Sequence, residues 1–431
     1  MMTLRDPKVV FFSGRTSLLV VVAISAVTIV TTCLHIQHYY SWNSYSYSSV
    51  IGYKEGHLSD TDLSIGRSHE ADGITKAYPY HLFNAKYLNS SQDETLNASE
   101  NNICDPIFRI VFLKTHKAAS TTTAAIFERY GYYRNLTFAF RGGEKVFSAL
   151  VPFTRALVAK YPGLTNNTFH MLTNHARYNR KEMDFVIPNA TYITILRKPE
   201  DQLESAFGYF EMYRGMKIAE KPNPFKTFIE NAASFYKNKS YAHWELSRNG
   251  MLYDLGLDHR NDEDESIIRD KILEIDRDFH LVMIQEYYDE SLILMRKLLC
   301  WEFEDILYLS RGVRSASHRF KVDIELKEQV RQWTRGDVLL YNHFNRTFWK
   351  KVQDYGPSFG SDLQYFRELN QGVYEECVME NKFDKTDKRV DKLTLKTNSE
   401  KCKTLMLGDV TFTKILTKSM ATRFGKPKLG Q

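Results

Sequence analysis

Ile107-Phe108-Arg109-Ile110-Val111-Phe112-Leu113, then Lys114-Thr115-His116-Lys117-Ala118-Ala119-Ser120-Thr121-Thr122-Thr123, then Ala124-Ala125-Ile126-Phe127-Glu128-Arg129-Tyr130-Gly131, is the stretch around which the rest of the chain is organised. An apolar run of strand length leads into a short loop of small, basic and hydroxyl residues, and a helical segment follows that ends at a glycine. N–H groups at a helix start have no intrahelical partner and sit at the positive end of the dipole. Strand, tight loop and helix start together therefore form an anion cradle. Lys114, Lys117 and the hydroxyls of Ser120, Thr121 and Thr122 add donors and charge to it.

The nucleotide-triphosphatase form of such a cradle reads G-x-x-x-x-G-K-[ST], and here neither the glycines nor the Lys-Ser/Thr pair is in place, which counts against a kinase. Lys117-Ala118-Ala119-Ser120-Thr121-Thr122 instead resembles the 5′-phosphosulfate loop of sulfotransferases, where a lysine precedes two small residues and then hydroxyls. The longer string Phe112 to Thr121 is similar to one branch of that superfamily, the galactose 3-O-sulfotransferases, which include galactosylceramide sulfotransferase. The resemblance implies an α/β fold, a P-loop-like central parallel sheet flanked by helices.

A second anion site is expected at Thr191-Tyr192-Ile193-Thr194-Ile195-Leu196, a β-branched run that reads as a buried parallel strand. Arg197-Lys198-Pro199 ends it, and Pro199 suits the first turn of a helix from Glu200 to Tyr213, where its missing N–H is harmless. Arg197 as a fork and Ser205 two turns into the helix can meet one phosphate. The spacing Arg-x7-Ser is similar to the sulfotransferase 3′-phosphate signature. Two cradles at the ends of parallel strands imply one bisphosphorylated nucleotide across the sheet edge.

Between them lies Thr168 to Thr173, a strand, running into Asn174-His175-Ala176-Arg177-Tyr178-Asn179. The family carries a similar His-x-Arg-aromatic-Asn string. A sugar needs both donors and acceptors, which His175, Arg177 and Asn179 supply. Asn174 stands where the family often has a second histidine, and Ala176 where it usually has methionine. Tyr253-Asp254-Leu255-Gly256, Glu286 to Ser291 and Leu340 to Asn345 extend the resemblance, which covers about Ile107 to Trp349. A helix is expected from Asp264 to Phe279 with Ile267, Ile268, Ile272, Ile275 and Phe279 on its apolar face, then a short strand Leu281 to Ile284 and a helix Leu292 to Cys300.

Outside this core, 431 residues with 43% hydrophobic content can bury one large core or two modest ones. A net charge of +6 and a pI near 8.8 suggest anionic partners without requiring nucleic acid. From Ser17 to Ile36 there is no charged residue, a length that spans a bilayer as a helix. Arg5, Lys8 and Arg15 precede it and the next basic residue is Lys54, so the N-terminus stays cytoplasmic. The segment is long for a cleaved signal and is followed by Gln37-His38-Tyr39-Tyr40 rather than an A-x-A-like site. The expected order is a cytoplasmic tail (1–16), a transmembrane signal-anchor (17–36), a polar luminal stem (37–100), a catalytic domain (101–381) and a basic, solvated C-terminal tail (382–431), as in a single-pass type II Golgi membrane protein.

Seven N-x-[ST] sequons, at Asn89, Asn97, Asn135, Asn166, Asn189, Asn238 and Asn345, agree with a luminal address. So do Cys104, Cys300, Cys377 and Cys402, which permit two disulfides in any of three connectivities and do not fit a zinc site. Cys33 lies in the apolar span. Asp60-Thr61-Asp62 looks like the metal-binding D-x-D of glycosyltransferases, a weak match within a stem.

The expected reaction is sulfuryl transfer from 3′-phosphoadenosine 5′-phosphosulfate (PAPS) to the 3-hydroxyl of a galactose on a glycolipid or glycan, with no metal required. The resemblance implies that Lys114, Thr115, Lys117, Ala118, Ala119, Ser120, Thr121 and Thr122 hold the 5′ end of PAPS and Arg197 and Ser205 its 3′-phosphate. Lys117 stabilises the departing phosphate, and His116 is the first choice of base, ahead of His175. His175, Arg177 and Asn179 take the galactose. The competing readings are a Golgi glycosyltransferase, which would need manganese and a sugar nucleotide, and a non-catalytic luminal PAPS- or glycan-binding protein. The acceptor and the oligomeric state are not readable from the sequence.

Overall fold

The computed structural model of the chain describes residues 104–148, 150–165, 169–310, 319–379 and 393–428, with the backbone of two short strands at Val313–Arg314 and Val390–Asp391. The expected cytoplasmic tail, membrane span and stem, with Cys33, Asp60-Thr61-Asp62 and the sequons at Asn89, Asn97 and Asn166, lie outside the described residues. Among the described residues no helix is long and apolar enough to cross a membrane.

Four parallel strands form the central sheet in the order β2-β1-β3-β4: β1 (Ile110–Leu113), β2 (Met171–Leu172), β3 (Thr191–Leu196) and β4 (Leu281–Ile284). Val111 lies opposite Leu172 on one side and Tyr192 on the other, and Leu196 lies opposite Ile284. Every residue of β1, β3 and β4 is buried, as expected of parallel strands covered on both faces by crossover helices. The apolar run that begins at Ile107 becomes strand only from Ile110. Ile107 instead donates its N–H to the carbonyl of Leu299, and Trp301 Nε1–H donates to the carbonyl of Ile107 (3.2 Å). The Cys104–Cys300 disulfide closes the same corner.

In chain order the helices that place the site are α1 (Ser120–Tyr133), α2 (Arg180–Val186), α3 (Pro199–Tyr209), α4 (Pro224–Glu230), α5 (Gly250–Asp254), α6 (Glu265–Asp278), α7 (Tyr288–Leu299), α8 (Ile324–Trp333), α9 (Arg335–Tyr355), α10 (Phe359–Cys377), α11 (Glu400–Met406) and α12 (Asp409–Phe424). α3 opens on Pro199 as expected but stops at Tyr209. In α6 the side chain of Asp264 caps the N–H groups of Ser266 and Ile267, and Ile268, Ile272 and Ile275 face the core, while Ile267 is turned outward.

Gly131 does not end α1, which runs on to Tyr133. A Cβ at Gly131 would lie 2.4 Å from Cζ of Phe138, so this glycine is there for close packing and not for a left-handed cap. The main core surrounds the sheet. A smaller aromatic core, in which the ring of Phe207 on α3 lies 5.2–5.4 Å from those of Phe225, Phe228 and Phe320, fills the space between α3, α4 and α8. Truncating such a ring costs about 3–5 kcal/mol, so α3 is held from below while its first turns face the cradle loop.

The C-terminal region departs most from expectation. Residues 382–431 read as a solvated tail, but Cys402 of α11 is bonded to Cys377 of α10, and Phe412, Leu416 and Met420 of α12 are buried against α1 and its surroundings. The lysines that make this stretch look like a tail (Lys403, Lys414, Lys418) alternate with apolar residues at helical spacing. The charge balance of the stretch hid that stripe.

Candidate active site

The loop from Lys114 to Ala119 leaves the carboxyl end of β1 and enters α1. Lys117 (φ 63°) and Ala119 (φ 60°) are both left-handed, a conformation that non-glycine residues hold only where the surroundings enforce it. The surroundings here include four hydrogen bonds besides the contacts of His116 with Asp254. The Thr115 hydroxyl donates to the carbonyl of Ile195 on β3, and the Ser120 hydroxyl to the carbonyl of Thr115 (2.7 Å). Gln202 Nε2–H donates to the carbonyl of His116 (2.9 Å), and Arg197 Nη1–H to that of Lys117 (3.1 Å). Among the described residues no side chain caps α1, and its first turn carries no acid, which leaves the positive end of this 14-residue helix open to an anion.

Arg197, at the end of β3, thus lies against the loop, and Ser205 sits buried two turns along α3. The ammonium of Lys117 lies 3.5 Å from the ring centroid of Tyr209 at the far end of the same helix. Arg197 of the second expected cradle thus lies against Lys117 of the first.

His116 is held by Asp254. Its backbone N–H donates to Asp254 Oδ2 (2.7 Å), and its Nδ1 lies 2.8 Å from Asp254 Oδ1. A carboxylate only accepts, so Nδ1 carries the proton and Nε2 keeps its lone pair for a substrate hydroxyl. The ring stacks on that of His175, with centroids 4.2 Å apart, and meets the edge of Phe210 at 5.9 Å. Phe210 in turn stacks on His243 at 4.0 Å. Burial, followed by His116 and by the charges of Lys114, Lys145 and Lys117, holds His175 well below the usual imidazole range, so it is neutral; its buried Nδ1 has no hydrogen-bond partner among the described residues. Asp254 itself is placed by α5, whose first N–H groups, at Met251 and Leu252, donate to the Asp337 carboxylate of α9 (3.1 and 2.9 Å).

Several sequence-read residues have other work. Lys114 is buried and its ammonium pairs with Asp409 on α12, away from the loop mouth, so its expected contact with the donor is corrected. Thr122 lines a small internal cavity with Leu405 and Phe412, while Thr121 is exposed and Ala118 is fully buried. Arg177, expected to hold a sugar, gives Nε–H to the carbonyl of Tyr253 (3.1 Å), Nη1–H to that of Leu150 (2.9 Å) and Nη2–H to that of Leu257 (3.0 Å). Asn179 gives its amide N–H to the carbonyl of Phe153 (2.9 Å). Both are corrected to scaffold ties: their donor groups are taken up by backbone carbonyls of neighbouring segments.

Asp254 has no role in the sequence reading, although its string was singled out there. The signal that identifies it is a contact across 138 residues, which no local pattern carries. Gln202 and Tyr209 were missed for the same reason.

The sequence profile described as galactose-3-O-sulfotransferase matches residues 76–411. The chain is 38% identical over 287 residues to galactosylceramide sulfotransferase of Bos taurus, a match that covers 64% of this chain and 65% of the relative. It is 32% identical over 297 residues to galactose-3-O-sulfotransferase 2 of Sus scrofa (66% of this chain, 73% of the relative) and 34% identical over 275 residues to galactose-3-O-sulfotransferase 3 of Mus musculus (62% and 63%). With most of its length matched by that profile, the chain belongs to the galactose-3-O-sulfotransferase family.

Proposed function

We propose that the chain transfers a sulfuryl group from PAPS to the 3-hydroxyl of a terminal β-galactose on a glycolipid of the galactosylceramide type or on a glycan. The observation that carries this reading is the meeting of three groups at one loop: the open start of α1, Arg197 on the carbonyl of Lys117, and His116 held by Asp254. The residues present fit an anionic nucleotide. The left-handed turns at Lys117 and Ala119 fold the loop backbone around the helix start, in the manner of a P-loop-like sulfotransferase cradle, and two basic side chains flank it.

PAPS supplies the sulfuryl group and takes up the electron pair of the broken S–O bond as the bisphosphate leaves. Lys117 stabilises that developing charge with its ammonium, and Arg197 and Ser205 orient the nucleotide from α3. His116 accepts the proton of the galactose hydroxyl at Nε2, and Asp254 stabilises the imidazolium that results. His175, neutral beside it, offers a ring nitrogen to a sugar hydroxyl without adding a charge that would oppose protonation of His116.

The same reading includes the address. The apolar run 17–36 anchors the chain as a single-pass type II Golgi protein with the catalytic domain in the lumen, and the Cys104–Cys300 and Cys377–Cys402 disulfides support an oxidising compartment. Radiolabelled PAPS offered with a panel of galactolipids and galactosylated glycans tests the assignment. Label on the 3-hydroxyl of a terminal galactose is expected; no transfer to any galactoside, or manganese-dependent transfer from a sugar nucleotide, would overturn it.

A further inference from the structure

α12 has no part in the mechanism above, yet it touches both halves of the site. Asp409, its first residue, pairs with the ammonium of Lys114, where the loop leaves β1. Thr413, one turn later and so on the same face, donates its hydroxyl proton to Asn174 Oδ1 (3.2 Å). Asn174 is the neighbour of His175, and its amide N–H reaches the carbonyl of Glu144 (2.9 Å) in the segment that borders that histidine. Between the two contacts lies Glu128 of α1, buried, with Oε1 accepting from the Thr173 hydroxyl (2.8 Å). Lys114, Asp409, Glu128, Thr173, Asn174 and Thr413 thus form a buried polar belt below the loop and the histidine.

We propose that α12 is a positioning element of the active site, with Asp409 setting the donor loop through Lys114 and Thr413 setting His175 through Asn174. The inference rests on the sulfotransferase reading for its kinetic consequences. Physically, it rests on direction: the buried Lys114–Asp409 and Thr413–Asn174 contacts have a preferred geometry that fixes the backbone carrying them, which apolar groups of similar volume lack. The match to the family profile ends at residue 411, so Thr413 and most of the helix lie beyond it. Burial pushes Glu128 well above the usual carboxyl range, which leaves one carboxylate, that of Asp409, to balance one ammonium.

The test uses the full-length chain and three variants, Asp409→Asn, Thr413→Val and Lys114→Met/Asp409→Leu, the last replacing the ion pair with apolar groups that keep the fold. Asp409→Asn is expected to raise the KM for PAPS about tenfold with the acceptor KM within about twofold of the parent. Thr413→Val is expected to do the reverse. Lys114→Met/Asp409→Leu is expected to retain the parent Tm while binding 3′-phosphoadenosine 5′-phosphate about tenfold more weakly. Amide hydrogen exchange supplies a readout free of activity: Asp409→Asn speeds exchange in residues 114–119 alone, and Thr413→Val in 173–179 alone. Variants that lower Tm but leave both KM values unchanged and exchange uniform, or a double variant with parent affinity, would overturn the proposal. A parent protein that neither binds the bisphosphate nor transfers sulfate would overturn the functional reading instead, and the exchange pattern would still decide this one.

Discussion

The loop at Lys114–Ala119 and the segment at Asn174–Asn179 both follow a strand and both carry basic side chains, yet the fold uses them in opposite ways. At the loop, the backbone is what the fold fixes: side chains at the end of β3 and on α3 and α5 hold its carbonyls and N–H groups in place. At the second segment the side chains expected to meet a sugar are turned into the protein, and His175 alone of the three sugar-reading residues lies at the site. The place of such a loop is specified by a few adjacent residues, and its conformation by contacts from β3, α3 and α5. A sugar site made of side chains depends on which of them the rest of the fold leaves available.

Five substitutions sharpen or break that contrast. His116→Ala is expected to lower kcat by about 10²–10⁴, the range of a positioned base, and Asp254→Asn by a smaller factor with little change in KM for PAPS, measured by label transfer. Equal loss in both would mean that Asp254 does more than orient the ring. Lys117→Ala is expected to remove about 2–4 kcal/mol of transition-state stabilisation, visible in kcat more than in affinity for the bisphosphate product.

For the second segment the expectation is inverted. Arg177→Ala removes three hydrogen bonds, although the carbonyls of Tyr253 and Leu150 keep a second donor in the Gly256 N–H and the Tyr253 hydroxyl, and is expected to cost about 1–3 kcal/mol in chemical unfolding, with the acceptor KM of the folded fraction unchanged. A raised acceptor KM at normal stability would return Arg177 to the sugar site and erase the contrast.

The smallest effect concerns the support of Asp254. Burial pushes the carboxyl of Asp337 up to about 7 from its ordinary 3.8, despite the two N–H groups it accepts from α5. Because the folded value lies above the unfolded one, the stability contributed by this group is complete below pH 4 and is lost as pH rises toward 7. Asp337→Asn is expected to flatten the fall in Tm over that window; an unchanged slope would show that the carboxyl is not held protonated.

Much of the fold is legible from local pattern. β3 and β4 coincide with their β-branched and apolar runs, Pro199 opens α3, and Asp264 caps α6, since each depends on residues a few positions apart. Gly131 shows the limit: its close approach to Phe138 has no local signature, so it reads as a helix end. Lys114 shows the same limit in the site. Beside a phosphate-type loop it reads as a ligand, and only the arrival of α12 from nearly 300 residues away turns it inward.

By itself the chain of residues determined the strands, the place of the turn after β1, the helix that carries Ser205 behind Arg197 and the kinship with galactose 3-O-sulfotransferases, because strands and helix starts follow from neighbours in sequence, whereas the left-handed conformation of that turn is held by β3, α3 and α5. Tertiary structure decided which polar side chains remain free to meet a substrate: Asp254 on His116, Asp409 on Lys114, and three carbonyls on Arg177. Burial gives every such group a strong demand for a partner, and the partner's place in the sequence is set only by packing.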